Sequence, residues 1–113
     1  MIEAEMLQLA ATAYFGPDGF EWNSCSGCIE YIPESSQDYS KWSPLTDDGD
    51  ALRLAVDLGL QVFPIARTTS GQACSAVADC CGRRLADVVA TTDLRADTRR
   101  AIVRAAAETV NRK

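Results

Sequence analysis

The residues best equipped for chemistry in this chain are five cysteines, Cys25, Cys28, Cys74, Cys80 and Cys81, because it contains no histidine. Cys25-Ser26-Gly27-Cys28 has the spacing of a thiolate pair on a zinc knuckle, and Cys80-Cys81 could add a second pair to complete a tetrahedral four-sulfur site. Adjacent cysteines chelate one ion awkwardly, however, and a domain of 113 residues can build a core without a metal staple. A redox C-x-x-C needs its first thiol at a helix N-terminus, which lowers the thiol pKa, whereas Cys28 runs into the strand-like Ile29-Glu30-Tyr31-Ile32. The cysteines are therefore read as small buried thiols, with no metal and no other cofactor expected.

Three further groupings could do chemistry. Asp47, Asp48 and Asp50 lie close together, but they lack the alternating register and the distant bidentate glutamate of a calcium loop, so they are expected to cap a helix. Asp97, Arg99, Arg100 and Arg104 could form a phosphate strip or a docking face. The same spacing gives a solvated helix face with weak ion pairs, or a row that pairs internally with acids from the first half. Glu21, Trp22, Glu30, Tyr31, Glu34, Asp38, Tyr39 and Trp42 join aromatic anchors to carboxylates, the combination that would select a basic protein surface, and they are the expected partner-binding residues. The tryptophans of that set also suit the core. Without histidine, a Gly-rich phosphate loop or a nucleophile beside a visible base, no catalytic residues are assigned and the chain is read as a non-enzyme.

Charge is unevenly distributed along the chain. Residues 1–50 hold ten acids and one base, a net −9, and residues 51–113 hold six acids and ten bases, a net +4. Direct nucleic-acid binding is disfavoured for a chain whose total is −5, and a basic protein surface is the natural partner of the acidic half. The opening MIEAEMLQLAATAY has neither the basic nor the continuous apolar region of a signal peptide, and no stretch approaches a membrane span, so the expectation is a cytoplasmic protein with no membrane partner.

The elements that must position these residues follow from periodicity and punctuation. Ile2, Met6, Leu9, Ala10 and Ala13 predict an amphipathic helix that Gly16-Pro17-Asp18-Gly19 stops. Residues 20–23 and 28–32 predict a hairpin, and 33–44 reads as an ordered loop. A helix follows the acids at 47–50 and closes at Gly59, with Asp50, Arg53 and Asp57 on one charged face. Residues 60–63 begin a strand that Pro64 confines to an edge or a bulge; 73–80 and 85–89 predict a second hairpin. Asp93 is the expected N-cap of a final helix from Leu94 to about Asn111. The sum is one α+β domain spanning 1–113, a small antiparallel sheet with N-terminal, central and C-terminal helices packed on it.

Two segments of this layout also resemble a known family. Residues 42–56, Trp-Ser-Pro-Leu-Thr-Asp-Asp-Gly-Asp-Ala-Leu-Arg-Leu-Ala-Val, and 98–108, Thr-Arg-Arg-Ala-Ile-Val-Arg-Ala-Ala-Ala-Glu, resemble the phage α-β-α sandwich domain family, with Ser43 where the family usually carries asparagine. The resemblance covers about a quarter of the chain and implies a bacteriophage or prophage product with helix-sheet-helix architecture; it implies no settled activity. Segments 15–41 and 64–92, which hold all five cysteines, fall outside it. Size, resemblance, missing catalytic groups and the acidic half together point to an accessory protein that binds and inhibits or redirects a host protein, such as a defence system of the CRISPR type. A virion or assembly component that associates with its own kind, and a small zinc module, are the alternatives.

Overall fold

The structure is a computed structural model and describes residues 3–23, 28–32, 38–68 and 70–111. It is α+β, with three helices and two three-stranded antiparallel sheets in the order α1 (Glu3–Phe15), β1 (Glu21–Asn23), β2 (Cys28–Tyr31), β3 (Ser40–Trp42), α2 (Asp48–Asp57), β4 (Gln61–Arg67), β5 (Ala73–Ala78), β6 (Arg84–Val89), α3 (Leu94–Asn111). The expected hairpin of β1 and β2 forms, and β3 extends it to a three-stranded sheet where the sequence reads as loop. The expected α+β arrangement of N-terminal, central and C-terminal helices on antiparallel strands holds, with the strands grouped in two three-stranded sheets. The connection at 24–27 and most of the remaining loop, 33–37, lie outside the described residues.

The second sheet has β5 at its centre. Alternation along the strands places Val77, Ala86 and Val88 on the face that meets α3. Small residues make that approach close: Ala101, Ala105 and Ala106 of α3 are fully buried, as are Ala10 and Ala11 of α1. α3 therefore packs against the sheet on one side and against α1 and α2 on the other. Pro64 sits in the edge strand β4, and the register shifts between Phe63 and Ala66. The bulge solves the problem of a residue with no N–H to donate, and Ser75 Oγ donates to Pro64 O across it at 3.0 Å.

α2 shows how local chemistry sets an element. Asp47 is its N-cap and accepts from Gly49 N at 3.0 Å, and Gly59 follows its last turn at φ 67°. Its faces differ from the amphipathic reading. Asp50, expected on the charged outer face, is buried, while Leu52 and Val56 are 63% and 66% exposed. Asp50 is buried because it has work there, accepting from Ser43 N at 2.9 Å and from Arg53 at 2.6 Å.

The first sheet is pinned to the end of α1 by aromatic rings. Trp22, Ile29 and Trp42 stand opposite one another in register and so share one face. Trp42 stacks on Tyr14 at 5.5 Å and meets Phe15 edge-on at 5.2 Å, and Phe15 lies 4.8 Å from Tyr31. Trp42 Nε1 is buried without an acceptor among the described residues, a local cost that this apolar packing outweighs.

Candidate binding face on the first sheet

Residues at alternate positions of the first sheet point away from the aromatic cluster. Glu21 stands opposite Glu30, which stands opposite Lys41, so this outer face is predominantly acidic. Glu30 is held in place by Asn23, whose Nδ2 donates to Glu30 Oε1 at 2.8 Å. Beside this row lies a groove of about 220 Å³, with Asp18 from the α1–β1 turn joining Glu21 and Glu30 on its walls. Phe20, Tyr31, Ile32 and Tyr39 supply its apolar and aromatic surface, and among the described residues no lysine or arginine lines it. Tyr39 donates to Glu21, and that carboxylate holds the Tyr39 phenol above its ordinary pKa. Ile32 and Tyr39 are 53% and 52% exposed, enough to offer contact area.

The structure therefore divides the eight expected contact residues. Glu21, Glu30, Tyr31 and Tyr39 meet at the groove, and Asp38 is exposed just before Tyr39 in the chain. Trp42 is core, 2% exposed, and carries no surface role. Trp22 is half-buried on the opposite face, in a cavity with Leu7 and Leu45. Glu34 lies outside the described residues. Asp18, Phe20 and Ile32 were missed, because the turn formers around Asp18 account for it as a local device and give no sign that the turn folds back beside β2.

The arginine row resolves as internal pairing. Asp97 is buried, accepting from Thr91 N at 2.7 Å and Thr91 Oγ1 at 2.8 Å. Arg99 donates to Leu45 O at 2.9 Å and pairs with Asp48, and Arg100 reaches Glu3 at 3.5 Å. Arg104 donates to Asp87 O at 3.1 Å. Arg99 and Arg100 thus tie the basic second half of the chain to its acidic first half, while Asp97 and Arg104 bond within the second half.

The cysteines depart from expectation in one respect. Cys74 is buried, as expected, but Cys80 and Cys81 are exposed in the β5–β6 turn, because the strand predicted to run to Cys80 ends at Ala78. Cys25 and the side chain of Cys28 lie outside the described residues, so the C-x-x-C pair has no described geometry. Among the described residues no three His, Cys, Asp or Glu side chains converge as metal ligands, and no helix is long and apolar enough to cross a membrane.

A second concavity, about 310 Å³, lies between α2, β4 and α3. Leu52, Val62, Pro64, Leu94 and Ile102 make it almost wholly apolar, and the Asp48–Arg99 pair sits on its rim.

In comparisons with known proteins, no family model, no curated protein and no solved structure matches the chain.

Proposed function

We propose that this chain is a non-enzymatic phage accessory protein that binds a host protein, seating a basic element of that partner on the acidic, aromatic face of the first sheet. The observation that carries this reading is the groove lined together by Asp18, Glu21, Glu30, Tyr31 and Tyr39, with no cationic residue on its walls among the described residues. A lysine or arginine entering it would meet carboxylates and ring faces together, an arrangement suited to cation–π and charge-assisted contacts. At about 220 Å³ the groove is smaller than an ordinary small-molecule pocket and suits one side chain of a larger partner. The phage origin rests on the family resemblance of 42–56 and 98–108, and a host defence component is the proposed class of target.

The test is affinity capture from bacterial lysate with the wild-type chain and with Glu21→Lys/Glu30→Lys. A stoichiometric partner held by the wild type and lost by the charge-reversed variant is the expected result. Repeated failure to recover any stoichiometric partner, or its full retention by the variant, would sink the proposal.

A second reading, an assembly component that associates with its own kind, is favoured by a different observation. Leu52 and Leu94 line the apolar cleft between α2 and α3 while exposed to solvent by 63% and 42%. Sedimentation over a concentration series distinguishes it, since self-association should appear there and weaken in Leu52→Lys.

A further inference from the structure

The β5–β6 connection is a tightly determined turn. Gly82 N donates to Asp79 O at 3.0 Å, and Asp79 N donates to Arg83 O at 2.8 Å. The Asp79 carboxylate then accepts from Cys81 N and Arg83 N, both at 2.9 Å. Gly82 takes φ 85°, the left-handed conformation that lets the strands rejoin in register. The two residues held at the tip are Cys80 and Cys81, both exposed, with their sulfurs 4.0 Å apart.

We propose that Cys80 and Cys81 form a bidentate dithiolate site for a soft, thiophilic metal ion of the copper(I) class. The separation decides between the two reactions open to such a pair. A disulfide requires the sulfurs at about 2.05 Å, a closure of about 2 Å from the 4.0 Å at which they stand, within the small ring that two adjacent residues make. A metal with bonds of about 2.3 Å to sulfur spans the existing 4.0 Å at an S–metal–S angle of about 120°, with no movement of the turn. Trigonal, sulfur-rich coordination suits copper(I), whereas hard cations want oxygen. A structural zinc site wants four protein ligands, and no third ligand joins this pair among the described residues. Cys80 beside it pushes the Cys81 thiol up, and because the metal ligand is the thiolate, binding of the ion displaces the thiol protons. The step balances as one copper(I) and two thiols giving a bis-thiolate complex of charge −1 and two protons. The copper stays monovalent and no electrons move. The remaining coordination position is open to a small external thiol.

The proposal is tested on the full reduced chain by anaerobic titration with copper(I) against a chromophoric copper(I) chelator. A Cys25→Ser/Cys28→Ser background removes the other pair. In it, one equivalent should bind, Cys80→Ser or Cys81→Ser should each weaken binding about a hundredfold through loss of the chelate, and Cys74→Ser should change nothing. X-ray absorption should show a sulfur shell around the metal. Loss of the bound ion in the Cys25→Ser/Cys28→Ser background, its retention when Cys80→Ser/Cys81→Ser is added to that background with unchanged circular dichroism, or no uptake at all would each overturn the assignment.

Discussion

Two buried carboxylates, Asp50 and Asp97, fix the places where the chain turns into its second and third helices. Each accepts the backbone N–H of a residue six or seven positions earlier, Thr91 for Asp97 and Ser43 for Asp50, in addition to a side-chain donor. Removing the acceptor would strand a backbone donor in a desolvated site. Asp97→Ala should therefore lose about 1–3 kcal/mol in urea unfolding, with Asp97→Asn recovering part of it. Arg100→Ala is the contrast, since its 3.5 Å contact with Glu3 joins two exposed side chains and should cost under about 1 kcal/mol. Tyr14 carries a pH dependence. Burial, reinforced by its hydrogen bond to Asp57, raises its phenol above 10 in the folded chain. The folded state then holds the phenolic proton more tightly than the unfolded chain does. This contribution is complete below pH 10 and disappears as pH rises through the higher folded value, so Tyr14→Phe should flatten the alkaline limb of the stability curve. At this scale the sequence was readable where a side chain acts on its neighbours, as with Asp47 or Asp93, which caps α3 through Ala96 N. It was opaque for Asp97, whose partner is fixed by the path of the β6–α3 connection.

The helices were legible as elements because their signals are local. α2 has an acid at its N-cap and a glycine at its end, and each is separately testable. Asp47→Ala should cost about 1 kcal/mol by releasing the Gly49 N–H. Gly59→Ala should cost about 1–2 kcal/mol although a Cβ there meets no atom within 4 Å, because the penalty lies wholly in the backbone at φ 67°. An unchanged m value in both would confirm that only stability moved. β3 was illegible for the opposite reason. Ser40-Lys41-Trp42 offers three residues, one of them charged, and becomes a strand only because Ile29 and Trp42 meet across the sheet and share a core face. Likewise Leu52 and Val56 are apolar yet exposed, because α3 packs on the side of α2 that carries Ala51, Leu54 and Ala55. Residues 42–56 and 98–108 interlock in space, since Arg99 of the second segment holds Leu45 O and Asp48 of the first. What they encode is this junction of α2 with α3.

The molecule as a whole has two unequal parts. The three helices and the second sheet supply most of one alanine-rich core, whereas the first sheet adds only Ile29 and Trp42 to it, has strands of three or four residues, and hangs on α1 through Tyr14, Phe15, Tyr31 and Trp42. So small a sheet, with its hydrogen bonds near solvent, should open before the rest unfolds. Native-state hydrogen exchange should then show β2 amides with a lower opening free energy and a smaller denaturant dependence than amides of α3 and β5. Two variants decide whether this opening is a distinct event. Val77 is fully buried beneath α3, and Val77→Ala should cost about 2 kcal/mol. That loss is felt equally by the native state and by a state in which only the first sheet has opened. It should therefore lower the α3 amides and leave β2 unchanged. Phe15→Leu weakens contacts that exist only while the first sheet is docked, so it should lower both sets by the same amount, about 1 kcal/mol. If Val77→Ala lowered β2 and α3 together, the molecule would open as one unit. The acidic groove would then share the stability of the core, and partner binding could not depend on a separately mobile sheet.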